Sequence, residues 1–112
     1  MRNYNNEVKL ITKLIVGYCK PEKIILFGSF ARGNYHKDSD IDLFIIKKSQ
    51  QKRPFRIKEI FEAIRGIERN FSLDAIVYTP KEIKDRLSLG DPFIKTVLNE
   101  GKTIYEQKSN IS

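Results

Sequence analysis

The sequence predicts an α/β sandwich built around a small sheet. Three short apolar runs, at residues 23–27, 41–47 and 73–78, have the length and composition of buried strands. Stretches with helical apolar spacing lie before, between and after these runs. The chain has 112 residues, of which 40% are hydrophobic, and this is enough for one core in about two layers. Residues 1–112 are therefore expected to form a single domain.

The first half of the chain alternates between helix and strand. Residues 5–18 carry apolar side chains at helical spacing, and Pro21 stops this helix. Residues 23–27 form a short apolar strand. Residues 29–32 are predicted to be a short helix, because a serine at its start is a good cap and a glycine and an asparagine follow it. After a polar loop, residues 41–47 form a strand that is apolar on both faces beyond its first carboxylate, so we expect it to be buried.

The second half continues the alternation and ends in two helices. Residues 54–69 have a proline suited to a first helical turn, followed by an amphipathic pattern. Residues 73–78 form a third strand, and Thr79 caps the helix after it. The sequence Gly-Asp-Pro at 90–92 interrupts that helix, and residues 93–99 form the last one, before a glycine and a short apolar end. The predicted order is α-β-α-β-α-β-α-α.

Charge and cysteine content indicate the cellular setting. The formal net charge of +7 and the pI of about 9.6 suit an anionic partner or simply solubility. A single cysteine, Cys19, excludes an internal disulfide and favours a reducing cytosol, and its position at a helix end predicts a structural role. The N-terminus lacks a signal-peptide pattern, and no apolar run approaches the roughly 20 residues of a membrane span. We therefore expect a cytoplasmic protein without membrane contact.

Polar residues at the ends of the predicted strands are the strongest functional feature. Gly28 and Ser29 close one apolar run, and Asp40 and Asp42 open the next. Because strand residues i and i+2 point to the same face, the two carboxylates lie together near the glycine turn. Paired carboxylates beside backbone N–H groups suit a divalent metal that carries a polyphosphate. Asp74 repeats the arrangement one strand later.

Two other motifs fit these residues less well. Residues 28–33 have the spacing of a Walker A loop, but Asn34 follows where that loop needs lysine and then serine or threonine. Residues 38–42 copy the first half of a calcium loop, but Leu43 and Ser49 stand where it needs glycine and glutamate. Taken singly, the features also fit ordinary roles: a serine-capped turn, a solvated strand start and a strand-edge acid.

The remaining candidates are weaker. His36 is the one histidine, which excludes a histidine-based metal cluster, and a Ser29–His36 dyad has no third member. A basic cluster surrounds the predicted loop after the second strand, where it either steers a nucleotide, binds RNA or forms a solvated face. Its members are Lys47, Lys48, Lys52, Arg53, Arg56 and Lys58.

Together the motif residues resemble the polymerase-β-like nucleotidyltransferases. The glycine-serine turn, the Asp40-x-Asp42 pair about ten residues later and a lone Asp74 on a following strand match the pattern of that superfamily. The fuller strings at 28–33 and 38–43, and the run NEGKTIYE near the end, look like the minimal nucleotidyltransferases of prokaryotes. The resemblance implies a polymerase-β-like palm, a small mixed sheet flanked by helices, over nearly the whole chain.

The resemblance also implies roles for matching residues. Asp40, Asp42 and Asp74 resemble the three catalytic carboxylates that hold two Mg²⁺ ions, which activate an attacking hydroxyl and steady the leaving pyrophosphate. The expected nucleotide is ATP. The residues that match the phosphate-binding turn are Gly28, Ser29 and Arg32.

The family analogy further implies a protein partner. Minimal nucleotidyltransferases resemble antitoxins paired with HEPN-type ribonuclease toxins, to which they transfer AMP from ATP on a tyrosine. We expect such a toxin to bind partly on exposed apolar residues of the C-terminal segment, such as Phe93, Val97 or Ile104. The alternative role of these residues is ordinary core. The alternatives are a non-enzymatic antitoxin or regulatory subunit that acts by binding, and a basic RNA-binding module, which the lack of aromatic-basic RNA motifs disfavours.

Overall fold

The computed structural model describes residues 2–28 and 40–108. The predicted helix at 29–32 and the residues Ser29, Arg32 and His36 lie outside this part of the chain. The described elements are, in chain order, α1 (Tyr4–Cys19), β1 (Lys23–Phe27), β2 (Ile41–Ile46), α2 (Arg53–Ala63), β3 (Leu73–Tyr78), α3 (Pro80–Ser88), α4 (Pro92–Glu100) and β4 (Lys102–Glu106).

The strands form one mixed sheet in the order β3-β2-β1-β4. β1 pairs antiparallel with β2 on one side and with β4 on the other, and β2 pairs parallel with β3. The parallel pair is joined through α2, as a crossover between parallel strands requires. The predicted small mixed sheet flanked by helices is confirmed.

Each face of the sheet is covered by two helices. α1 and α2 pack on one face, against alternating residues such as Ile24, Leu43 and Val77. α3 and α4 cover the other face, where Phe44 and Tyr78 lie in the core. Among the described residues, no helix is long and apolar enough to cross a membrane.

The helix ends follow the capping signals of the sequence. In α1 the side chain of Asn3 accepts from Asn6 N–H. α3 has a full capping box, in which Thr79 and Glu82 each accept from the other's backbone N–H. The Asp91 side chain accepts from the first N–H groups of α4. Strands β1 and β3 have the predicted bounds.

Two predicted elements differ from the structure. The helix predicted to reach residue 69 ends at Ala63, because the chain turns through Gly66 with a φ of +92°. Ile67 keeps the apolar pattern because it packs against the same core from the loop. The apolar end of the chain forms β4, a fourth strand that was not predicted, because its five residues are mostly exposed and only two face a core.

The structure also shows the burial of Cys19 and of the apolar residues near the C-terminus. Cys19 is buried, as a structural role requires, and burial raises the pKa of its thiol to about 11. Of the two roles open to Val97, partner surface or core, the structure shows the core, since Val97 lies buried beneath α4. Ile104 packs against the opposite core, and Phe93 remains 39% exposed.

Candidate active site

The parallel pairing of β2 and β3 places two of the predicted acids side by side. Asp42 of β2 and Asp74 of β3 are register partners, and Phe27 of β1 is the partner of Asp42 on its other side. Asp42 and Asp74 point to the face of the sheet that carries α3 and α4, as the alternation with Phe44 and Ile76 shows. The strand register therefore brings carboxylates from distant parts of the sequence to one edge of that face.

The three predicted acids differ in exposure. Asp40 and Asp74 are exposed, whereas Asp42 is half-buried beside the core of that face. Asp40 comes directly before β2, two residues from Asp42, so that it extends the same edge. An opening towards solvent at Asp40 and Asp74 leaves room for a substrate.

The pKa of Asp42 reflects its burial and the two acids beside it. Burial raises the pKa of its carboxyl group to about 6, and the negative charges of Asp74 and Asp40 contribute in the same direction. A carboxylate in such surroundings is stabilised by a cation that neutralises the repulsion. The same three groups thus form a coherent set of oxygen donors for a hard divalent ion.

Carboxylate oxygens are ligands that Mg²⁺ prefers, but the side chains of the three acids do not converge on one position in this structure. Within residues 2–28 and 40–108, no three Asp, Glu, His or Cys side chains are arranged as a ready ligand set. Asp42 and Asp74 are nonetheless neighbours across the β2–β3 pairing.

The turn after β1 contacts the acid directly. Gly28 has a φ of +79°, a conformation that side-chain-bearing residues rarely adopt. A Cβ atom at this position would collide with Oδ2 of Asp42. Glycine is therefore required here both by backbone conformation and by the close approach of the carboxylate. Its predicted partners in phosphate binding, Ser29 and Arg32, lie outside the described residues.

A pocket adjoins the turn on its β4 side. It has a volume of about 220 Å³ and is lined mainly by apolar groups. The ring of Phe93 in α4 meets that of Phe27 edge to face, with 5.9 Å between centroids. Phe93, which the sequence predicts on a partner surface, is partly exposed and lines this pocket together with Gly28. The lining residues are Phe27, Gly28, Phe93, Thr96, Val97, Glu100 and Gly101.

The predicted basic cluster does not lie beside the acids. β2 runs away from Asp42 towards Lys47, and five residues of strand span roughly 17 Å. Most of the cluster also has internal partners: Lys47 bonds Glu59 at 2.6 Å, and Arg56 is buried. The expected role in steering a nucleotide at this site is therefore not supported by position.

Arg56 and its partner explain why that cluster is structural. Its guanidinium donates to both carboxylate oxygens of Glu82, at 2.7 and 3.1 Å, and to the carbonyl of Val77 at 3.2 Å. The bonds from Arg56 are the main reason that the pKa of Glu82 falls to about 2. Arg53 lies over the ring of Tyr78 at 4.2 Å. These cations join α2 to the far end of β3 and the start of α3.

Two residues near the acids were missed by sequence reasoning. Tyr4 donates a hydrogen bond to the backbone carbonyl of Asp40, and the fully buried Glu7 accepts bonds from the loop before β3. A signal was present, because Glu7 lies between Tyr4 and Ile11 at helical spacing on the apolar stripe of α1. A charged residue on such a stripe is costly unless it has partners.

The family of the chain follows from its sequence as a whole. Residues 9–110 match the model of the family described as "Polymerase beta, Nucleotidyltransferase". The chain belongs to this family. The match covers the Gly28 turn and all three acids, so the predicted resemblance is confirmed.

The chain is also similar to curated proteins of Methanocaldococcus jannaschii. One, named "Putative protein adenylyltransferase MJ0141", is 35% identical over 60 residues, which are 53% of this chain and 61% of that protein. Another, "Putative protein adenylyltransferase MJ1305", is 34% identical over 90 residues, 75% of this chain and 58% of that protein. The chain thus spans about three fifths of the length of these relatives.

Two solved structures share the fold. A crystal structure described as that of "a putative nucleotidyltransferase from Sulfolobus solfataricus" superposes with a TM-score of 0.62 at 24% identity, covering 96% of this chain and 84% of that one. A chain from a crystal structure of a toxin-antitoxin with AMP-PNP has a TM-score of 0.63 at 22% identity, covering 92% and 75%. At these identities the likeness concerns the fold.

Proposed function

We propose that this chain is a Mg²⁺-dependent nucleotidyltransferase that acts as an antitoxin. It transfers AMP from ATP to a tyrosine of a cognate HEPN-type ribonuclease toxin. The observation that carries the proposal is the register pairing of Asp42 with Asp74 beside the Gly28 turn. A structural sheet gains nothing from three acids at one edge, because burial, together with the nearby charges of Asp74 and Asp40, raises the pKa of Asp42.

Two groups of residues would bind the metal ions and the triphosphate, respectively. Asp40, Asp42 and Asp74 would hold two Mg²⁺ ions, which supply charge neutralisation and activation of a hydroxyl group when bound. Gly28 would let its backbone approach the triphosphate closely, and Ser29 and Arg32 would bind phosphate oxygens. In the transfer, the tyrosine oxygen forms a bond to the α-phosphorus as the bond to pyrophosphate breaks, and the hydroxyl proton passes to solvent.

The open acid edge supports an acceptor that comes from another protein. Asp40 and Asp74 are exposed, and none of the described elements folds over them. A tyrosine presented by a partner can therefore reach this edge. The names of the relatives, protein adenylyltransferases, and the toxin-antitoxin neighbour with AMP-PNP support AMP, ATP and a toxin as the nucleotide and partner.

The test is a transfer reaction followed by intact mass. The chain is incubated with the protein encoded by the adjacent gene as the candidate partner, ATP and Mg²⁺. We expect a gain of one or more AMP units on that protein, and Asp40→Asn should remove the gain. Asp85→Asn is the matched control, because it makes the same change at an exposed position of α3 away from the site.

Binding is measured in parallel to separate the alternative. If the partner binds tightly and is silenced without a gain in mass, and Asp40→Asn leaves this unchanged, the chain is a non-enzymatic antitoxin. That outcome would contradict the proposed AMP transfer but would still support a toxin as the binding partner.

A further inference from the structure

Two buried side chains of α1 hold the segments that lead into the acid-bearing strands. Tyr4 and Glu7 lie one helical turn apart and are 5% and 0% exposed. Neither has a role in the proposed transfer. We call these two residues the α1 clamp.

Tyr4 contacts both segments. Its hydroxyl donates to the backbone carbonyl of Asp40 at 3.1 Å, directly before β2. Its ring packs edge to face on Phe71, with 5.0 Å between centroids, three residues before Asp74. One side chain therefore touches the entrance of β2 and the entrance of β3.

Glu7 fixes the backbone of the second segment. Its carboxylate accepts from the backbone N–H of Asn70 at 3.0 Å, from the amide side chain of Asn70 at 2.9 Å and from the backbone N–H of Phe71 at 2.9 Å. The guanidinium of Arg2 lies 3.7 Å away. Hydrogen bonds to a buried carboxylate are short and strong, so the position of the loop is closely defined.

The two segments are also bonded to each other. The N–H of Ile41 donates to the carbonyl of Ser72 at 2.8 Å, which extends the ladder between β2 and β3 by one step. The path from Tyr4 through Asp40, Ile41 and Ser72 back to Glu7 is a closed circuit of contacts. Asp74 lies two residues beyond Ser72 in this circuit.

We propose that the α1 clamp positions the metal-binding carboxylates. It does so by fixing the position of the segment that carries Asp40 relative to the segment that leads to Asp74. This inference rests on the proposed function. A divalent ion needs its oxygen ligands within a few tenths of an ångström, and residues behind the ligands supply that precision. Tyr4 and Glu7 touch no reacting group, so they are positioning residues.

The experiment measures metal binding rather than transfer. Mn²⁺ is titrated by calorimetry into the wild type, Tyr4→Phe and Glu7→Gln, at a temperature where circular dichroism shows all three fully folded. Glu7→Gln should weaken Mn²⁺ binding about tenfold or more, in the range seen for residues behind metal ligands. Tyr4→Phe, which removes one hydrogen bond, should weaken it by about two- to tenfold.

Two matched variants control for the chemistry of the changes. Tyr18→Phe removes a hydroxyl from an exposed residue of the same helix, and Glu59→Gln neutralises a carboxylate paired with Lys47. Both should leave Mn²⁺ affinity within about twofold. Hydrogen exchange of the Asn70 and Phe71 amides should accelerate in Glu7→Gln and stay unchanged in both controls.

The outcomes separate this inference from the proposed function. If Asp42→Asn abolishes Mn²⁺ binding while both clamp variants bind normally, the clamp is merely structural and the inference is overturned, even if their melting temperatures fall. If Asp42→Asn binds Mn²⁺ as the wild type does, the proposed metal site itself fails. Should Glu7→Gln not fold, Tyr4→Phe carries the decision alone.

Discussion

Oδ2 of Asp42 occupies the space that a Cβ atom on Gly28 would need. The turn after β1 and the central carboxylate of β2 are thus fitted to each other. A change in one has to displace the other, which makes this contact a sensitive point for experiments.

Gly28→Ala should cost more than an ordinary glycine substitution. The left-handed backbone alone costs about 1–2 kcal/mol for a residue with a Cβ, and the collision with Asp42 adds to it. Gly90→Ala is the matched control, because Gly90 has a similar φ of +76° and nothing within 4 Å of its Cβ position. Urea unfolding should show the larger loss for Gly28→Ala, together with loss of nucleotide binding. Equal losses in the two variants, with full nucleotide affinity, would make the turn only structural.

Asp42→Asn should stabilise the fold above pH 6 while abolishing transfer. The folded chain keeps the Asp42 proton up to about pH 6, whereas the ordinary pKa is 3.8. The folded state therefore binds more protons in this window, and the stability of the wild type falls as pH rises through it. In EDTA, the advantage of the variant should be fully present at about pH 8 and should shrink towards pH 4. A difference that does not depend on pH would contradict the titration of Asp42.

Mg²⁺ should reverse the instability at neutral pH. A ligand that binds the folded state raises the free energy of unfolding by mass action. The melting temperature of the wild type should therefore rise with Mg²⁺ concentration, and that of Asp42→Asn should not. Asp85→Asn should respond as the wild type does. A rise of equal size in Asp42→Asn would place the bound ion elsewhere.

Ser29→Ala should weaken nucleotide binding by about 1.5–3 kcal/mol, the value of one hydrogen bond to a charged group. Binding of AMP-PNP in the presence of Mg²⁺ is the measurement. Ser88→Ala, at the end of α3, is the control and should bind as the wild type does. Unchanged affinity in Ser29→Ala would contradict the proposed role of that serine in phosphate binding.

Arg56→Ala should destabilise the protein by about 1.5–3 kcal/mol, because it removes the hydrogen bonds of a bidentate, part-buried ion pair with Glu82. Arg86→Ala breaks the more exposed pair with Asp91 and should cost much less. Urea unfolding of both variants checks the contrast. Since Arg56 holds the pKa of Glu82 near 2, the wild type should lose this stabilisation as pH falls from about 4.5 towards 2.

Most strands and helices were predictable because their signals are local. The apolar runs of β1 and β3 end at the predicted residues, and Thr79 caps α3 as expected. β4 was missed because a short, exposed edge strand has little pattern of its own; it exists because β1 offers a partner. The end of α2 was missed because Ile67 continues the helical periodicity from a loop.

The sequence was sufficient to identify the acids of the site, but their arrangement depends on the register of β2 against β3. Spacing alone put Asp40 and Asp42 on one face, but only the parallel pairing of β2 with β3 makes Asp74 the neighbour of Asp42. Spacing places Glu7 on the apolar stripe of α1, but it could not identify the partners of Glu7, because these bonds join residues more than 60 positions apart. The basic cluster was misplaced because sequence proximity to β2 does not tell which end of the strand is near the acids.

The central place of β1 has a consequence for biosynthesis. β1 is the second element of the chain, yet one of its two neighbours is β4, the last element described. A ribosome-bound chain that has completed only the first three strands presents one side of β1 without a partner. That side carries Leu26, paired with Lys102 in the finished sheet, two residues before Gly28. The Gly28 turn therefore gains its full support only after residues 102–106 emerge. Premature termination upstream of β4 should then yield chains that aggregate through an open strand edge rather than partly active enzyme.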